Sequence, residues 1–72
     1  EEAVTSFTNA IEINKEIAEY YYKRGASYYN LNLIDKAEKD YREACALGEY
    51  DGCIRAEDMY EYRMKKMKEE KK

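Results

Sequence analysis

Histidine, tryptophan and proline are absent from this chain, phenylalanine occurs once, and there are only two cysteines. Without histidine, neither a histidine-based catalytic pair nor a histidine metal shell can be built, which removes many enzyme chemistries at once. Two thiolates alone leave half of a zinc shell empty, so no metal and no cofactor is expected. Tyrosine, cysteine, lysine and carboxylates are the remaining acid–base or nucleophilic groups, and nothing in their spacing makes them converge, so an enzyme is not expected. No apolar run approaches the roughly 20 residues that cross a bilayer, and no charged-then-apolar leader opens the chain. The segment reads as soluble. It begins at Glu1 inside a helical pattern with no initiator Met, as an excised piece or mature part of a longer protein would.

What is present is charge and tyrosine. Charged residues make up 40% of the 72 positions, and nine tyrosines supply most of the aromatic content. The net charge of -3 is unevenly spread, because Arg63 to Lys72 holds six basic and two acidic residues, leaving -7 on the first 62. A chain of this size buries only about 60% of its unfolded surface, which makes it a single domain without room for a large catalytic cavity.

Apolar residues recur at helical spacing. Ala3, Phe7, Ala10 and Ile13 form one stripe over residues 2–13, with Asn14 placed to end the helix in a left-handed cap. A second helix spans residues 18–31, with Tyr21, Gly25, Tyr28 and Leu31 on its inner stripe. A third runs to about Leu47. Asp35 and Glu38 are set as a carboxylate capping box, Ala37, Tyr41, Ala44 and Leu47 face inward, and Lys36, Glu38, Lys39, Asp40, Arg42 and Glu43 face water. Glu38 and Arg42 are spaced for an i,i+4 pair. Gly25 is placed to meet Ala37 at a close helix crossing, and Gly48 to stop the third helix. Asp51 then caps a fourth helix, in which Tyr62 keeps an inner slot and which otherwise turns polar towards Lys68. Lys71 and Lys72 are expected to fray. Shifting the chain by 34 residues lays Ala3 on Ala37, Phe7 on Tyr41, Ala10 on Ala44, Ile13 on Leu47 and Tyr28 on Tyr62, so the hairpin of residues 18–51 is one unit of an array.

The unit resembles a tetratricopeptide repeat. The slots of that family read Tyr21, Arg24, Gly25, Tyr28, Leu31, Ala37, Tyr41, Ala44 and Glu49 here, and seven of the nine agree. Arg24 stands where an apolar residue is usual and Glu49 where proline is usual. The resemblance implies an all-α, right-handed array of antiparallel helical hairpins in one domain over 1–72. It divides into the second helix of a partial repeat (1–15), a full repeat (18–51), and a capping helix with a basic tail (52–72).

It also implies a non-catalytic protein–protein interaction module whose concave face takes a peptide or helical segment. The matching groove positions are Tyr22, Ala26, Tyr29 and Asn30, followed one repeat later by Ala56 and Tyr60. The alternatives for the tyrosines are contact with a partner and coverage of the edge of a small core, since tyrosine suits both. The lysine and asparagine clamp with which some relatives hold chaperone C-termini is missing from these positions. A rival class is a structural or self-associating segment that forms a homo-oligomer through exposed helices. The basic end, with no aromatic residue after Tyr62, is a weak nucleic-acid footprint and a sufficient helix terminus.

Cys45 and Cys53 flank a short turn between antiparallel helices, which can bring their Cα atoms to the 4.4–6.8 Å a disulfide needs. The segment ACALGEYDGC is similar to the cysteine-rich Sel-like relatives, in which such cysteines staple helices. The alternative is two small, reduced, buried side chains. A reducing, cytoplasmic location goes with the second reading and an extracytoplasmic one with the first.

Overall fold

The computed structural model describes residues 2–70 as four helices joined by short turns. They are α1 (Glu2–Ile13), α2 (Ala18–Asn30), α3 (Ile34–Ala46) and α4 (Tyr50–Glu70), with no strand among the described residues. Each helix packs on the next in sequence, α1 on α2, α2 on α3 and α3 on α4. Lys71 and Lys72 lie outside the described residues.

Local chemistry explains where the helices stop. Gly48 takes φ +107, the Glu49 amide donates to the Ala44 carbonyl at 2.9 Å, and the Gly48 amide donates to that of Cys45 at 3.0 Å. That pair of bonds is a Schellman motif, in which glycine carries the left-handed residue without a Cβ penalty. It replaces the stop that proline would give at position 49. α2 ends in the same way, with Asn32 at φ 63 and amides of Leu33 and Asn32 donating to Tyr28 and Tyr29. The left-handed cap expected at Asn14 is not formed, since Asn32 is the one non-glycine residue with positive φ among the described residues. Asn14 instead uses its side chain, whose Oδ1 accepts from the Glu16 amide at 3.0 Å.

The capping box is also absent. α3 begins two residues earlier than expected, with Leu33 at the cap position and no side-chain cap bond, so Asp35 is already helical. α4 likewise begins at Tyr50, which puts Asp51 inside the first turn instead of at the cap.

The core is centred on Ala37 and Tyr41 of α3 and Ala56 and Met59 of α4, with Tyr22, Ala26, Tyr28 and Ile34 packed around them. Gly25 sits where expected. A Cβ there would lie 3.1 Å from two ring atoms of Tyr41 and 3.3 Å from the Ala37 carbonyl oxygen. α1 keeps only the middle of its expected stripe: Phe7 and Ala10 are half-buried, with Val4 and Thr8 half-buried and Ile11 buried beside them, whereas Ala3 is exposed and Ile13 is 87% exposed. The face that meets α2 therefore overlaps the expected stripe at Phe7 and Ala10 and extends round the helix to Val4, Thr8 and Ile11. α4 is turned from its expected register. It meets α3 through Gly52, Ala56, Met59 and Arg63, while Tyr62, assigned the inner slot by the 34-residue register, is largely exposed.

Two contacts set that rotation. Gly52 lies directly on the backbone of α3, and the Cα atoms of Cys45 and Cys53 are 4.7 Å apart with their sulfurs at disulfide distance. If the thiols are bridged in the isolated domain, reductant should lower its stability by about 2 to 3 kcal/mol, the chain-entropy value for so short a loop. Thermal melts with and without reductant measure this, and coincident melts would mean that the crossing holds without the bond.

Candidate partner-binding face

α2 reads AEYYYKRGASYYN, and its aromatic residues cannot all share one side of a helix. The structure divides them. Tyr22 leans on Tyr41, ring centroids 5.4 Å apart and tilted by 58°. Arg55 of α4 reaches the Tyr22 hydroxyl, which raises the pKa of the guanidinium. Ala26 packs beside it on the core. Tyr29 is 50% exposed and Asn30 is exposed next to it, at the end of the helix. These four residues share one helix, two of them anchored in packing and two presented to solvent.

Tyr60 is elsewhere. It is 44% exposed on α4 and borders an open groove of about 500 Å³ between Arg42, Cys45 and Ala46 of α3 and Cys53, Ala56 and Glu57 of its own helix. The Arg63 guanidinium lies 5.8 Å from the centre of its ring. Ala56, its companion in the expected groove, is buried against the core. Tyr60 thus faces the α3–α4 groove, and none of the α2 residues lines that groove.

Beneath this surface lie charges that were expected to face water. Asp40 is 4% exposed and Glu38 is 6% exposed. Arg24 donates to both carboxylate oxygens of Asp40, Nε to Oδ2 at 2.7 Å and Nη2 to Oδ1 at 2.9 Å, and its Nη1 donates to the Thr8 hydroxyl at 3.0 Å. Its guanidinium also lies 5.9 Å from the Tyr21 ring centre and 5.7 Å from that of Tyr28. The hydrogen bond to Asp40 raises the Arg24 pKa against the opposing effect of burial. One arginine thereby ties α1, α2 and α3 together, and a bidentate fork of this kind fixes orientation as well as distance.

Glu38 performs the same task between α3 and α4. Arg42 donates to its Oε2 at 2.6 Å and Arg63 to its Oε1 at 2.9 Å. The spacing of Glu38 and Arg42 was legible, whereas the second arginine, 25 residues away, was not. Burial pushes the Glu38 carboxyl up, but hydrogen bonds from Arg63 and Arg42 and their positive charges outweigh it, and its pKa ends below the ordinary value. A carboxylate with a depressed folded pKa contributes stability that is present above its unfolded pKa, near 4.5. That contribution is lost as pH falls through the lower folded value. Glu38→Gln should therefore be destabilising at neutral pH, with the gap from the parent closing as pH falls below about 4.5. Denaturant melts across pH 3 to 7 test this, and a gap that stays constant would mean the carboxylate's charge is not what matters.

Burial also raises the pKa of the Tyr41 hydroxyl, with Tyr22 beside it acting in the same direction, so it remains protonated at neutral pH and offers no base. No group of three or more His, Cys, Asp or Glu side chains able to hold a metal ion occurs among the described residues. No helix of the described residues is long and apolar enough to cross a membrane.

Two family models match the chain, one described as TPR repeat over residues 1–32 and one as tetratricopeptide repeat over residues 18–51. No curated protein and no solved structure matches it. The second model covers α2 and α3 in full, and the first covers α1 and α2.

Proposed function

Because the chain belongs to the tetratricopeptide-repeat family, a family of non-catalytic protein–protein interaction repeats, we propose that it binds a peptide or helical segment of another protein through the tyrosine-bearing face of α2. The contacts are Tyr29 and Asn30, supported from below by Tyr22 and Ala26, with Tyr60 of α4 offering a separate aromatic contact. One observation carries this reading: Tyr29 stands half exposed on a helix whose neighbouring tyrosine is locked on the core. An aromatic side chain held on a rigid helix loses little entropy on binding, and tyrosine is enriched among residues that carry affinity.

The structure separates the two tyrosines as reagents. Tyr22 supports Tyr41, so replacing it tests stability as much as binding. Tyr29→Ser should keep the helical content and melting temperature while weakening a peptide selected against the domain by about tenfold, near 1.4 kcal/mol. Equal affinity of the parent and the variant for such peptides would remove this face from the assignment.

A further inference from the structure

We propose that copies of this 72-residue chain associate head to tail, with α1 of one copy seated in the groove between α3 and α4 of another. This goes beyond the peptide-binding reading, since it uses neither Tyr29 nor Asn30.

The first ground is that the apolar stripe of α1 is only partly covered, with both of its ends left in solvent. By the 34-residue repeat, Ala3, Phe7, Ala10 and Ile13 correspond to Ala37, Tyr41, Ala44 and Leu47. In α3 that stripe is covered, with Ala37 and Ala44 fully buried and Tyr41 nearly so. In α1 the middle of the counterpart stripe, Phe7 and Ala10, is half-buried beside Val4, Thr8 and Ile11, and its two ends, Ala3 and Ile13, stay in solvent. Ile13 is the most exposed large apolar residue among those described.

The second ground is a receiving surface. The α3–α4 groove is open, and Cys45, Ala46, Cys53 and Ala56 line it with small side chains between the charged walls of Arg42 and Glu57, with Tyr60 at its border. Small residues allow a helix to approach closely, and Ala3 and Ile13 are the stripe residues of α1 left free to meet such a surface.

Charge selects the occupant and its direction. Successive helices here run antiparallel, and an α1 seated in that sense would place its Glu2 end towards the end of α4, where Lys65, Lys66 and Lys68 stand. The same orientation opposes the helix dipoles favourably and brings the positive tail of one copy to the body of the next, whose first 62 residues carry -7. Because the two surfaces differ, the contact is heterologous, and a pair of copies keeps one free surface of each kind, so assembly grows with concentration past a dimer.

The test is sedimentation of the full chain from micromolar to millimolar concentration, alone and with two variants at exposed positions, Ile13→Glu on α1 and Ala46→Arg in the groove. The parent should gain mass continuously with concentration, and each variant alone should stay monomeric with unchanged helicity. Mixed together, they should form a dimer that grows no further, because each retains the surface the other has lost. A parent that is monomeric at millimolar concentration overturns the proposal, as do variants that associate like the parent or a mixture that fails to pair. Neither substitution touches α2, so any of these failures leaves the peptide-binding reading standing.

Discussion

Asp40→Ala should cost the fold about 3 kcal/mol, because it leaves the Arg24 guanidinium partly buried with no counter-charge. The pair is well shielded, with Asp40 4% exposed, and Asp40 accepts two hydrogen bonds from one arginine. Removing one partner of such a pair costs far more than the pair itself contributes, since the remaining charge keeps its desolvation penalty. For a domain of this size, that is a large share of the total stability. The double change Arg24→Leu with Asp40→Val should recover most of the loss, because apolar residues can occupy the site without an orphaned charge. Urea unfolding of the three proteins measures both effects. A single-variant loss under about 0.5 kcal/mol would match an exposed pair instead and place the arginine in water.

Gly52→Leu should be as damaging, by a steric route. A Cβ at Gly52 would stand 2.9 Å from the Tyr41 carbonyl oxygen, 3.0 Å from the Ala44 Cβ and 3.1 Å from the Cys45 amide nitrogen. Two of the three are backbone atoms of α3, which cannot swing away as a side chain does. Even Gly52→Ala should lose stability, since overpacking of about 1 to 3 kcal/mol exceeds the roughly 1 kcal/mol that alanine returns through helix propensity. Leucine should cost about 3 kcal/mol or more, prising α4 from α3 and with it the Arg63–Glu38 contact. Thermal melts decide the matter, and a leucine variant that melts with the parent would show that α4 does not lie where the structure places it.

Much of the fold was written locally. The stop at Gly48 follows from the one residue type that tolerates a positive φ without cost, and the crossing at Gly25 from the one that adds no Cβ. The helices themselves follow from apolar spacing and the 34-residue recurrence. What one helix cannot reveal is a partner far along the chain. Asp40 and Glu38 sit among lysines and glutamates on α3, and amphipathic reasoning sends them outward. Their cations, Arg24 and Arg63, are 16 and 25 residues away. A signal existed in Arg24, an arginine in a slot that is normally apolar. A charge in a core position requires a counter-charge within reach, and Asp40 is the acidic residue of α3 that supplies it.

The rotation of α4 was illegible for a related reason. A fixed repeat length assigns inner slots by counting, and counting placed Tyr62 inward and the Tyr60 ring on the face that holds Tyr22. The actual rotation follows from Gly52 and the approach of Cys45 to Cys53, contacts made at the first turn of the helix. On the proposed binding face, Tyr22, Ala26, Tyr29 and Asn30 were legible as residues of one helix, but only the packing shows Tyr22 spent on Tyr41 and Tyr29 left for solvent.

The binding face is tested most directly by titrating the isotopically labelled domain with a selected peptide and following each residue's NMR signals. Recognition through α2 predicts that the largest shifts cluster at Tyr29 and Asn30, with smaller ones at Tyr22 and Ala26. Shifts confined to the basic run from Arg63 to Lys68, with those of α2 unmoved, would contradict it.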